Sequence, residues 1–335
     1  MIAKRAGGTP NSLAIGPRER ITFRTERFVS RGIGISAVIG NGEGIPILFI
    51  HGNSSSKLVW THQLALMKQL ERPFIAPDLP GHGESDDAIV PDVTYSFPGY
   101  AAVLSDLTSQ LGWESFDVVG WSLGGHVGLQ LLAVDQRVHS LLISGTPPAR
   151  PCAEALEEAF FPTDDMGLAG KADFSDSDAL AYVTAMMGGP AYVTPELLKV
   201  ARRTDGRARW FLFATALARI GADQREIVQT SEKPLCVVHG ENEPFVRLSY
   251  LRSLDYRALW PGCVQVIPNA GHAPHWQTPA DFNELLTAFL THAEAVDQTK
   301  VSKEPQLPTA QSTSSIYQEG TAILEKPRGA VRGLR

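Results

Sequence analysis

The run Gly120-Trp121-Ser122-Leu123-Gly124-Gly125 sets a serine among glycines, between an apolar stretch, FDVV, and a helix-patterned one, HVGLQLLAV. That is the strand–turn–helix setting of a G-x-S-x-G nucleophile elbow, whose tight turn needs small flanking residues and presents the serine hydroxyl at the end of a strand. The first N–H groups of the following helix point toward any negative charge that develops there. The chemistry such residues can do is attack on an acyl carbon, with Ser122 as nucleophile and the Leu123 N–H as one oxyanion-hole donor. The Asn53 N–H is the candidate for the second donor. It lies in His51-Gly52-Asn53-Ser54-Ser55-Ser56, directly after the apolar run IPILFI. The plainer reading of that loop is a polar turn whose Ser55 or Ser56 caps the next helix.

A serine nucleophile needs a base. His272, in Asn269-Ala270-Gly271-His272, follows the strand-like VQVI and precedes the last core helix. An imidazole titrates near neutrality, so it can take a proton and return it. His275, three residues on, competes without the same strand–Gly–His placement. Around such an elbow the chain order is Ser, then the acid, then His. The loop after PLCVV reads His239-Gly240-Glu241-Asn242-Glu243-Pro244-Phe245-Val246 and holds no aspartate. Glu243, next to Pro-Phe, is the first choice for holding the imidazole tautomer, and Glu241 the second.

The elements that must position these groups are legible as short apolar runs and helical patterns in alternation. Residues 45–50, 74–76, 116–119, 141–144, 235–238 and 264–267 are too short for helices and read as buried strands. Residues 57–70, 100–111, 123–134, 247–259 and 280–293 have helical spacing. The expectation is an α/β fold: a mostly parallel central sheet with helices on both faces. Residues 147–231 interrupt the alternation with helical patterns at 152–161, 177–187, 195–203 and 207–220, and read as an inserted helical cap. The expected organisation is a loose N-terminal segment (1–20), a core (21–146 and 232–297) around the cap, and a disordered polar tail (298–335).

Composition narrows the class. The chain has 335 residues, 43% hydrophobic and 20% charged, with a net charge of −6, which supplies a core and argues against a nucleic-acid partner. Three scattered cysteines indicate neither a disulfide framework nor a zinc knuckle. No apolar run is long enough to span a bilayer, and the N-terminus lacks a signal-peptide apolar region, so the expected location is cytoplasmic. Nine histidines include no HxH or HExxH pattern, there is no phosphate-binding glycine loop, and no metal or cofactor is expected.

Together these motifs resemble the α/β-hydrolase fold over residues ~29–295. DLPGHGES at 78–85 is similar to that family's structural turn, with His82 structural. HGNSSS, APDLPGHGES, GWSLGGHVG, GTPPAR, DMGLAG, RTDGRAR, EPFV and NAGHAP resemble, more narrowly, the metal-independent N-acyl-homoserine lactonases of this fold. The resemblance implies a Ser–His–Glu set, matching Ser122, His272 and Glu243, and a small-molecule lactone or ester as partner. It also implies a substrate-facing tyrosine at Tyr182; the Asn53 side chain, from the opposite wall, and Trp121 are further candidate substrate contacts. Serine at the elbow argues against dehalogenases and epoxide hydrolases of this fold, which carry aspartate there. The cap carries an apolar set, Phe160, Phe161, Phe174, Met186, Met187, Tyr192, Trp210 and Phe211, most of which read as ordinary cap packing, while a cap over the sheet edge must also line a pocket above Ser122 that suits an acyl chain. A general carboxylesterase, and a hydrolase-fold receptor with slow turnover, remain the alternatives.

Overall fold

The computed structural model describes residues 23–301; the expected loose N-terminal segment and nearly all of the expected tail lie outside them. The strands are β1 (Phe23–Ser30), β2 (Ile33–Gly40), β3 (Ile47–Ile50), β4 (Phe74–Pro77), β5 (Phe116–Trp121), β6 (Val138–Ser144), β7 (Leu235–Gly240) and β8 (Gln265–Ile267). They form one sheet in the order β1-β2-β4-β3-β5-β6-β7-β8, parallel except for the β1–β2 and β2–β4 pairings.

The helices are α1 (Thr61–Gln69), α2 (Pro91–Thr94), α3 (Phe97–Gln110), α4 (Leu123–Val134), α5 (Ala153–Ala159), α6 (Asp164–Leu168), α7 (Asp176–Met187), α8 (Pro195–Arg203), α9 (Gly206–Leu217), α10 (Gln224–Thr230), α11 (Leu248–Ser253), α12 (Pro274–Gln277) and α13 (Pro279–Val301). Successive residues of a strand face opposite sides of a sheet, so a strand covered on both faces is apolar throughout. Leu48, Ile50, Val118, Leu141 and Val237 pack on one side with Leu104 of α3 and Val127 of α4. Ile47, Phe49, Val119, Leu142 and Val238 pack on the other with Met67 of α1 and Phe289 of α13.

The structure departs from the sequence reading in four places. The β1–β2 hairpin was not anticipated. β1 is a largely exposed edge strand rich in charge, and its two-residue turn uses Arg31 and Gly32, both at positive φ, rather than an Asn-Gly pair. The expected helix over 247–259 stops at Ser253. Leu235 draws the following segment into a bridge, donating its N–H to Ala258 O and accepting that of Trp260. The expected helix over 57–70 opens with a 3-10 turn, Lys57–Trp60, before α1. Between β6 and β7 the chain contains α5 to α10, of which α6 and α10 were not foreseen. No helix among the described residues is long and apolar enough to cross a membrane.

The strand order reverses direction around β3, which lies between β4 and β5. In open α/β sheets the loops at the carboxyl ends of strands diverge at such a point and leave a crevice. Ile50 pairs with Gly120, so the loop after β3 and the turn after β5 leave the sheet side by side. The β3 loop is anchored by a buried ion pair. Asp78 accepts the Lys57 ammonium, the Lys57 N–H (2.8 Å) and the Glu84 N–H (2.8 Å).

Removing Asp78 leaves the buried Lys57 ammonium with Glu84 Oε2, at 2.8 Å on the exposed side, as its carboxylate partner, and leaves the Lys57 and Glu84 N–H groups without this acceptor. Asp78→Ala is therefore expected to lower unfolding free energy by about 3 kcal/mol in urea titration. Asp87→Ala, which removes an exposed partner of Arg203, should have a much smaller effect.

Candidate active site

Ser122 sits between β5 and α4 with φ 54° and ψ −118°. A non-glycine residue there is strained by about 1–3 kcal/mol and persists only when its surroundings hold it. Here Ser122 N–H donates to Ser144 O (2.8 Å), while Ser122 O accepts Gly125 N–H (3.0 Å) and the Thr146 hydroxyl (2.8 Å). The turn closes because its neighbours lack side chains. A Cβ on Gly120 would lie 2.4 Å from Gly124 O, and one on Gly124 would lie 2.0 Å from Ile50 O.

His272 is buried, with Nδ1 2.8 Å from Glu243 Oε2. Glu243 Oε1 also accepts the Phe245 N–H at 2.9 Å. Burial acts to raise the Glu243 pKa, but the opposite charge of His272, its hydrogen bond and the Phe245 N–H outweigh burial and hold it below the usual carboxylate value. Stability linked to this ionisation is present above the ordinary carboxylate pKa and is lost as pH falls through the lowered folded value. With Nδ1 given to the carboxylate, His272 Nε2 has no hydrogen-bond partner among the described residues, and His272 and Ser122 line the same cavity.

Glu241 is exposed and accepts the Asn269 N–H (3.0 Å), so it braces the turn that carries His272 without reaching the ring. His275 is fully buried between Trp60 and Trp121, with ring centroids at 4.5 and 4.9 Å, and burial pushes its pKa down to about 3. It has no route to the cavity. His239 and Gly240 belong to β7 rather than to the loop.

Asn53 and Leu123 both line the cavity, and among the described residues neither N–H is given to another group. The Asn53 side chain is committed, its Nδ2 donating to Ala169 O at 2.8 Å. Tyr182 is buried, lines the cavity, and donates its hydroxyl proton to Asn53 O at 3.0 Å. It can therefore only accept a hydrogen bond from a substrate. Its clear contact is with the loop that carries the Asn53 N–H.

Trp121 corrects an expectation. It does not line the cavity; its ring is buried beneath the His272 loop and its indole N–H donates to His272 O at 2.7 Å. Trp121 holds the histidine loop in place and is not positioned to touch a substrate.

The cavity measures about 560 Å³. Of the apolar residues singled out between β6 and β7, Phe160, Phe161 and Met186 line it, whereas Phe174, Met187, Tyr192, Trp210 and Phe211 do not. Met166, Leu212 and Phe213 line it instead, with Phe97 and His126 from the core. On α9, Trp210 points to solvent, and Leu212 and Phe213 are the residues that face the cavity. The pattern marked a helix but not its rotation.

Residues 47–285 match the alpha/beta hydrolase family, and the chain belongs to it. An uncharacterized protein of Mycobacterium tuberculosis is 39% identical over 297 residues, covering 83% of each chain. Among solved structures, a mutant of the N-acyl homoserine lactonase AidH complexed with N-hexanoyl homoserine lactone is similar, with 39% identity and a TM-score of 0.77. That match covers 81% of this chain and 98% of the other. A putative aryl esterase from Burkholderia cenocepacia shares the fold at 20% identity and a TM-score of 0.64, covering 81% of this chain and 100% of that one.

Two substitutions separate the roles assigned by position. Glu243→Gln is expected to lower kcat by at least about tenfold, because a neutral amide cannot stabilise an imidazolium, while Glu241→Gln should change it less than about threefold. The reverse ranking moves the acid to Glu241. Tyr182→Phe is expected to cost about 1 kcal/mol in kcat, on simple esters as much as on lactones, because it acts through Asn53. A loss confined to lactones points to direct substrate contact instead.

Proposed function

We propose that the protein is a serine hydrolase that opens the lactone ring of N-acyl-homoserine lactones, with quorum quenching as the consequence. The observation that carries this reading is the setting of Ser122: a buried His272–Glu243 pair beside it, inside an apolar cavity of about 560 Å³. That size suits a ligand with an acyl chain rather than a bare ring. The 39% identity to a lactonase complexed with N-hexanoyl homoserine lactone adds support.

Ser122 Oγ attacks the lactone carbonyl carbon as His272 Nε2 takes the hydroxyl proton. The carbonyl oxygen gathers negative charge and is met by the Asn53 and Leu123 N–H groups at the start of α4. The bond from the carbonyl carbon to the ring oxygen then breaks, and His272 returns the proton to that oxygen. The leaving hydroxyl stays attached, because it belongs to the same molecule as the new acyl group. A water molecule, deprotonated by His272, adds to the acyl-enzyme and releases Ser122 and the ring-opened N-acyl homoserine. Glu243 keeps Nδ1 protonated throughout and stabilises the imidazolium.

The test is a product assay with N-hexanoyl homoserine lactone, γ-butyrolactone and p-nitrophenyl butyrate. Ser122→Ala should lose several orders of magnitude in kcat. Burial of about four acyl methylenes, at ~0.8 kcal/mol each, should favour the acylated lactone over γ-butyrolactone by roughly two orders of magnitude in kcat/KM. If γ-butyrolactone reacts as well, or only the linear ester reacts, the protein is a general carboxylesterase.

A further inference from the structure

Of the polar side chains in the cavity that take no part in the chemistry above, His126 stands nearest in sequence to the nucleophile. His126 lies in α4, four residues after Ser122 and so one helical turn away on the same side of the helix, and it lines the cavity. Its ring stacks on Phe97, with centroids 5.1 Å apart and planes at 22°. Nδ1 is 2.8 Å from Oε1 of the buried Gln224.

The state of this ring follows from its partner. Gln224 Nε2 donates to His126 O at 3.4 Å, so the opposite amide orientation would set two acceptor oxygens against each other. The amide oxygen therefore faces Nδ1. It can only accept, so Nδ1 carries the proton, and a neutral imidazole then leaves a bare lone pair on Nε2. Burial pushes the His126 pKa down to about 4, against the opposing effect of the Gln224 hydrogen bond, so the ring is neutral in ordinary buffers. Among the described residues Nε2 has no hydrogen-bond partner.

The cavity thus presents an acceptor one turn from the nucleophile, and most of its other polar groups are committed. Asn53 Nδ2 and the Tyr182 hydroxyl each donate to a backbone carbonyl, His272 Nδ1 faces Glu243, Glu157 is exposed, and Arg247, whose Nε donates to Phe160 O and whose guanidinium lies over Phe161, has no acceptor to offer. Resting on the lactonase reading, we infer that His126 is a specificity-determining residue: its Nε2 accepts the N–H of a substrate amide next to the scissile lactone carbonyl. In an N-acyl homoserine lactone that nitrogen is bonded to the carbon adjacent to the carbonyl that Ser122 attacks. The enzyme so built selects α-amido lactones over α-alkyl lactones of the same shape. An unpaired acceptor facing a methylene loses the hydrogen bond it would otherwise make with water.

The test compares N-hexanoyl homoserine lactone with its ketone isostere, in which CH2 replaces the amide N–H. The readout is the ratio of the two kcat/KM values. His126→Phe keeps the stacking on Phe97 and removes the acceptor, and it should lower the ratio about five- to tenfold. His126→Gln, whose amide oxygen can reach the Nε2 position, should keep most of the preference. Gln224→Leu leaves the tautomer unfixed and should lower the ratio by a smaller factor. A ratio unchanged within twofold in His126→Phe, or an equal fall in His126→Gln, overturns the inference and leaves the lactonase reading intact. A wild-type enzyme that hydrolyses p-nitrophenyl butyrate but opens neither lactone overturns that reading, and this inference with it.

Discussion

The site depends on one backbone constraint: Ser122 held in a left-handed conformation at the seam between β5 and α4. Three hydrogen bonds from outside the turn and within it oppose the strain, and two glycines let α4 close onto the ends of β3 and β5. A single methyl group at Gly124 would meet Ile50 O and push the helix off the sheet. That closure places most of the remaining groups of the site. The first free N–H of α4 lies next to the serine, the β3 loop passes beside it, and His126 comes round one turn later.

The helical segment between β6 and β7 does more than enclose a cavity. It is bonded to the loop that carries Asn53. Ala169 O accepts from the Asn53 side chain, and the Tyr182 hydroxyl donates to the Asn53 carbonyl. Arg209, buried and lying 3.9 Å over the Phe174 ring, bonds Lys171 O, Ala172 O and the Ser54 hydroxyl. With its carbonyl bonded to Tyr182 and one side-chain N–H bonded to Ala169, the Asn53 loop is held where its backbone N–H can meet the proposed oxyanion. On the far side, Trp121 gives its indole N–H to His272 O. The histidine loop is thus tied to the residue just before the nucleophile. Groups drawn from four separate loops are kept in mutual register by bonds outside the reacting set, which is what preorganisation requires.

Legibility in the sequence tracked the physics of each signal. The elbow, the His272 loop and the buried parallel strands could be read because their glycine spacing and short apolar runs arise in few structures besides tight turns and covered strands. Choosing Glu243 over Glu241 relied on a local cue, the following Pro-Phe, and the contacts place the two carboxylates differently: one on the His272 ring, one on the Asn269 backbone. The β1–β2 hairpin was hidden because an exposed edge strand carries charge rather than an apolar pattern. Which α9 residues line the cavity was not legible, because helical periodicity fixes a spacing and not which face meets the core. His126 stood inside the most conspicuous motif of the chain, yet only the Phe97 stack and the Gln224 hydrogen bond distinguish it from a packing residue.

The central claim is a covalent intermediate on Ser122, and rapid-quench intact-mass spectrometry during turnover of N-hexanoyl homoserine lactone tests it most directly. Ring opening by the serine leaves the alcohol attached, so the adduct must weigh as much as the whole substrate. Peptide mapping should place it on Ser122, and Ser122→Ala should show neither adduct nor product. Product formation by Ser122→Ala at the wild-type rate, or an adduct on another residue, would contradict the account.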